Sequence, residues 1–174
     1  MNPFHDNASA NGRERILAVD VRPRWFGFAV FGAPTQLLDF GVVGIASVAR
    51  GETCLIRLVK TYWPRLVVVR KTFPRARRHR PGVRAYSRLI PRLSRRFSIQ
   101  VERLSDRQLR QYFKSQGVRN KDEAAAFLAR QFPALSWRVP PPRKRWQHEH
   151  KNMPIFDAVA LGMAHSQSKN SARA

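Results

Sequence analysis

ILAVDVRPRWFGFAVF, residues 16–31, reads as two short strands joined by a turn. Residues 15–21 are rich in β-branched side chains, RPRW at 22–25 has turn character, and residues 27–31 resume the apolar run, so the stretch reads as a β-hairpin. Residues 37–44 supply a third strand after a short connection, and three such strands are expected to lie as antiparallel neighbours.

Outward from the hairpin, strands and helices alternate. Leu55, Leu58, Val59 and Tyr62 recur at helical spacing within residues 52–63, and Pro64 ends that helix. The continuous apolar run at 66–69 suits a central strand covered on both faces, parallel to the first. Residues 83–97 place Tyr86, Leu89, Ile90, Leu93 and Phe97 on one face and Arg84, Arg88, Arg92 and Arg95 on another. They predict an amphipathic helix that Pro91 should kink or split. Residues 98–103 alternate as a fifth strand. Ser105 and Asn120 suit the N-caps of helices over 106–115 and 121–131. The Pro-rich basic stretch 133–152 reads as a loop, and residues 153–165 as a closing helix with Pro154 in its first turn. Residues 1–14 are expected to form a polar arm, 15–165 one α/β domain, and 166–174 a flexible tail.

The charge balance narrows the function. Against 11 Asp and Glu stand 33 Lys and Arg, a formal net charge of +22 at pH 7. Such an excess, dominated by Arg, suits a phosphate backbone, where counterion release rewards each contact. An anionic membrane is the competing partner, but no separable basic amphipathic helix, lipidation motif or apolar run of about 18 residues is present. The expected location is the cytoplasm, associated with the nucleoid if the partner is DNA. Cys54 alone forms no internal disulfide and no structural zinc site.

Three antiparallel strands followed by parallel strands alternating with helices is the order of the ribonuclease H-like fold, a mixed five-stranded sheet flanked by helices. Within that order, ILAVDVRPRWFGFAVF resembles the opening hairpin of RuvC-type Holliday-junction resolvases, where an aspartate, here Asp20, ends the first strand. MPIFDAVALGMA, residues 153–164, resembles the final helix of the same superfamily, whose aspartate, here Asp157, faces that strand. The resemblance covers about residues 15–165. It implies a structure-selective endonuclease acting on branched DNA, usually as a homodimer. Two Mg²⁺ or Mn²⁺ ions held between carboxylates would activate water and stabilise the leaving oxygen.

The fourth strand departs from the family pattern. It reads LVVVRKTF, placing Arg70, with Lys71 beside it, where the family has a glutamate, and Pro154 stands three residues before Asp157. A cation there would repel metal ions and pair with Asp20 and Asp157 instead. Glu149, in the HEH stretch 148–150, is the best replacement acid, with His148 or His150 as a further ligand or base. Asp20, Asp157 and Glu149 are thus the candidate metal-binding and catalytic residues. Taken singly, Asp20 also suits a turn and Asp157 the dipole of a helix start.

Every charged residue from Arg70 to Arg96 is basic. Arg75, Arg77, Arg78, Arg80, Arg84 and Arg88 are therefore candidate phosphate contacts. Arg143, Lys144 and Arg145 form a second cluster before Trp146, a residue suited either to stacking on a base or to packing its loop. The resemblance adds Lys121, near the start of the helix after strand five. Three functions remain open: a metal-dependent endonuclease on branched DNA, a non-catalytic or architectural binder of DNA or RNA, and an RNA-processing nuclease. DNA stands ahead of RNA as partner.

Overall fold

The strands assemble in the order β3-β2-β1-β4-β5, which puts the strand carrying Asp20 at the centre of the sheet. In this computed structural model, residues 15–22, 25–33, 36–45, 47–71, 81–142 and 148–171 are described, without the side chains of 81–87 and 170–171. The strands are β1 (Ile16–Val21), β2 (Trp25–Ala33), β3 (Gln36–Gly44), β4 (Leu66–Arg70) and β5 (Gln100–Leu104). The helices are α1 (Val48–Tyr62), α2 (Pro81–Phe97), α3 (Asp106–Ser115), α4 (Lys121–Gln131) and α5 (Met153–Ser171), with a 3-10 turn at Pro133–Arg138. β1 pairs antiparallel with β2 and parallel with β4, β2 antiparallel with β3, and β4 parallel with β5. The mixed five-stranded sheet expected of the ribonuclease H-like fold is therefore present.

Strand periodicity sorts the core into two layers. Leu17, Val19, Val67 and Val69 pack with Leu55 and Val59 of α1 and Leu89, Ile90 and Leu93 of α2. Ala18, Ala29 and Val68 point to the other face, against Ile155, Phe156 and Val159 of α5 and Leu128 of α4. Two residues beyond Ala18 is Asp20, and two beyond Val68 is Arg70. The same alternation thus aims both side chains at the α5 face, at the carboxyl ends of adjacent parallel strands. In open α/β sheets this is where sites form.

Small residues let α5 approach closely. Gly27 lies opposite Asp20 in the β1–β2 ladder, and a Cβ at Gly27 would stand 1.9 Å from the carbonyl oxygen of Pro154. The absence of a side chain at Gly27 therefore sets the distance between the sheet and the start of α5, three residues before Asp157.

Ser105 and Asn120 cap α3 and α4 as expected, their side chains accepting from the backbone N–H of Gln108 and Glu123. Several expectations are corrected. α2 is not split at Pro91 but is one helix through it. The 133–152 loop contains the 3-10 turn, and the side-chain amide of buried Asn152 donates to the carbonyl of Arg138 (3.1 Å), tying the end of that turn to the start of α5. α5 passes its expected end at His165 and continues to Ser171, so most of the expected tail is helical. The arm, residues 1–14, lies outside the described residues. Among the described residues, no helix is long and apolar enough to cross a membrane.

Gly27→Ala should destabilise the fold by about 1–3 kcal/mol, because the obstructing atoms are backbone and cannot rotate away. Thermal unfolding will show it as a lowered Tm.

Candidate functional site

The end of β1 delivers a fully buried carboxylate, Asp20, 0% exposed, between two guanidinium groups. Its Oδ1 accepts from Arg70 Nε at 2.8 Å and its Oδ2 from Arg22 Nε at 2.5 Å. Arg70 spreads its other nitrogens over two further acids: Nη1 donates to Asp106 Oδ1 (2.8 Å) and Nη2 to Asp157 Oδ1 (3.1 Å). Arg22 does likewise, with Nη2 on Asp157 Oδ2 and Nη1 3.2 Å from Glu149 Oε2. Lys121 closes the cluster by pairing with Glu149 and with Asp157 Oδ2, the latter at 3.3 Å. Four acids against three cations leave one formal negative charge.

Burial raises the Asp20 carboxyl above the ordinary carboxylate range, and repulsion from Asp157 adds to this, against the opposing pull of Arg70 and Arg22. Asp157 moves the other way. Burial pushes it up, but Lys121, Arg70 and Arg22 together outweigh burial and hold it below that range. Arg70 and Arg22 are firmer cations than usual: burial opposes their charge, and Asp20 and Asp157 more than offset it.

A two-metal centre needs carboxylate oxygens that converge with lone pairs directed at the ions. Here both oxygens of Asp20 and both of Asp157 accept from Arg or Lys nitrogens. Guanidinium groups occupy the space between them. The Mg²⁺ or Mn²⁺ assignment of Asp20, Asp157 and Glu149 does not fit this arrangement. Among the described residues, no group of three or more His, Cys, Asp and Glu side chains is arranged to hold a metal ion. His150 is engaged elsewhere, its Nδ1 accepting from the backbone N–H of Asn152 at 3.2 Å, while His148 is exposed.

The structure therefore brings Asp20, Asp157, Glu149 and Lys121 together, as ion-pair partners. Sequence reasoning missed Arg22 and Asp106. The available signal was positional: Arg22 lies two residues after Asp20, on the same side of an extended chain, and Asp106 two residues after the end of β5, beside β4. Of the candidate phosphate contacts, Arg88 is exposed on α2 and Lys121 is partly exposed on α4. Arg75, Arg77, Arg78, Arg80, Arg143, Lys144, Arg145 and Trp146 lie outside the described residues, as does the side chain of Arg84.

Sheet order, parallel switch point and a long helix across the β1 face are those of the ribonuclease H-like fold. Among solved structures, the chain is similar to Thermus thermophilus RuvC in complex with a Holliday junction substrate, with 16% identity and a TM-score of 0.68 over 90% of this chain and 96% of that one. It is similar to the yeast mitochondrial Holliday junction resolvase Ydc2, with 12% identity and a TM-score of 0.63 over 91% and 81%. It is also similar to the fowlpox virus resolvase in its Holliday junction DNA complex, with 14% identity and a TM-score of 0.53 over 89% and 98%. At these identities the likeness is one of fold. No protein-family model and no curated protein matches the sequence.

Replacing Arg70 by glutamate would exchange the central cation for another acid. Arg70→Glu should cost about 3–5 kcal/mol in EDTA, since it takes one cationic partner from each of Asp20 and Asp157 and sets a further like charge beside them. Mn²⁺ should restore much of the loss by binding the folded state, while leaving wild type unchanged; thermal unfolding with and without the ion checks this. The acid limb of stability should depend on Asp157. Its lowered folded pKa gives stability that is present above the unfolded value and lost as pH falls below about 4. Asp20, displaced upward, contributes below the unfolded value and loses that contribution as pH rises through its folded value. Asp157→Asn, unlike Asp20→Asn, should flatten the fall in Tm between about pH 4 and pH 2.

Proposed function

We propose that this protein binds branched DNA as a non-cleaving member of the resolvase fold, its would-be metal centre replaced by an ion-paired node. The observation that carries this reading is Arg70, whose three guanidinium nitrogens each hold a different carboxylate where metal ions would need free oxygens. Binding follows from the charge. A net +22 favours a polyanion, and each neutralised phosphate releases counterions. The similar RuvC and fowlpox folds were solved on Holliday junction DNA, which supports a branched ligand over a simple duplex. Exposed Arg88, Arg110, Lys114 and Arg119 add cationic surface beyond the node.

The test is incubation of the full chain with an end-labelled four-way junction in Mg²⁺, in Mn²⁺ and in EDTA. The expected outcome is a mobility shift of equal strength in all three, weakening steeply with salt, and no cleaved product. Product that requires both the metal ion and Asp20, vanishing in Asp20→Asn, would overturn the proposal and establish a nuclease.

A further inference from the structure

Arg70, Asp106, Lys121 and Asp157 of the node also line a groove between α3, α4 and α5, with a volume of about 530 Å³. Its apolar lining is substantial: Leu109, Met153 and Phe156 are buried, and Phe113 and Val118 are half-buried. Phe113 packs edge-on against Tyr112, ring centroids 5.1 Å apart, which holds its ring in place. Three exposed cations share the lining, Arg110, Lys114 and Arg119. None of them has an acidic partner among the described residues, whereas the acids in the lining, Asp106 and Asp157, are already paired with Arg70, Arg22 and Lys121. Arg110 and Lys114 stand one turn apart on α3, on one side of the helix.

Aromatic and aliphatic surface beside unpaired cations selects a particular chemistry. An apolar peptide segment would cover the hydrophobic surface and leave three cations unmatched. A continuous duplex backbone would match the cations and leave the hydrophobic surface wet. A flat ring joined to a phosphate satisfies both, and the volume lies within the range of about 300–1,000 Å³ usual for a small-ligand site. We propose that this groove takes one unpaired nucleotide of the bound DNA. Its base lies against the half-buried Phe113, and its phosphate is held by Arg110, Lys114 and Arg119. Asp106, tied to Arg70 through Oδ1 and 42% exposed, offers an acceptor to an exocyclic amino group. The inference rests on the DNA-binding reading above and adds to it a preference for unpaired bases. Because every base has a flat face, that preference is for unpaired over paired rather than for one sequence.

Three duplex probes test it by fluorescence anisotropy with the full chain: one fully paired, one with a single adenine bulge, and one with an abasic residue in place of that adenine. The adenine bulge should bind roughly 10-fold tighter than the abasic bulge, the scale of one base stacked on an aromatic side chain. Phe113→Ala and Val118→Trp should both abolish that difference while leaving affinity for the paired duplex unchanged. If Phe113→Ala fails to fold, Val118→Trp, in the α3–α4 connection, carries the test. Equal affinity for the two bulges, or a preference that survives Val118→Trp, would overturn the groove assignment and leave DNA binding standing. Binding to none of the three probes, nor to the four-way junction, would overturn the DNA-binding function and the groove assignment together.

Discussion

Three carboxylates drawn together at the buried end of a sheet repel one another unless positive charge stands between them, and here Arg70 supplies it. Like charges a few ångströms apart interact far more strongly in a protein interior than in water. The closeness of Asp20 and Asp157 therefore has to be matched by a cation as the chain folds. Arg70 meets that need from within the sheet, on the strand beside β1, and binds β1, α3 and α5 to β4 in one contact set. The small residues that draw α5 inward, Gly27 foremost, make sense only with that neutralisation in place, because the same approach carries Asp157 towards Asp20.

Most of the sheet was readable because its strands are short, bounded by turn residues and alternate cleanly between two packed faces. Asp20 and Arg70 could be assigned to adjacent strand ends from the sequence because parallel pairing aligns the ends of β1 and β4. The exceptions have local causes. The turn at Pro133–Arg138 is too short to show a period. The polar residues after His165 have a tail-like composition, yet α5 continues through them. Ser166 and Ser168 return their hydroxyls to the carbonyls of Gly162 and His165, at 3.0 and 2.8 Å, so their polar groups are satisfied within the helix. Of the two outcomes expected at Pro91, a kink or a split, the split does not occur, because Leu89, Ile90 and Leu93 anchor both sides of the proline in the core.

The node was half legible. A basic residue where the resemblance expects a glutamate identified Arg70, and the paired motifs identified Asp20 and Asp157. Arg22 sits in a stretch whose proline and arginines read as a turn. Its role depends on the chain doubling back so that one guanidinium reaches Asp20, Glu149 and Asp157 together. Asp106 has the sequence signature of an acid in the first turn of a helix, and only the placement of β5 beside β4 adds Arg70 to its surroundings. Such contacts join residues distant in sequence and leave no periodic trace.

Arg70 alone would not balance the cluster. Against Asp20, Asp106, Glu149 and Asp157 it leaves an excess of negative charge that would still attract a divalent ion, and Arg22 and Lys121 remove most of it. Three cations from β4, the end of β1 and α4 thus converge on acids from β1, α3, the segment before α5, and α5 itself. A buried ion pair contributes little net stability against an apolar alternative of the same shape, because desolvation offsets attraction. What such a network supplies is orientation: each guanidinium nitrogen accepts one direction of approach, and together they hold β1, β4, α3 and α5 in one register. Through these pairs Asp20, Asp106 and Asp157 tie the sheet to the helices that build the adjoining groove.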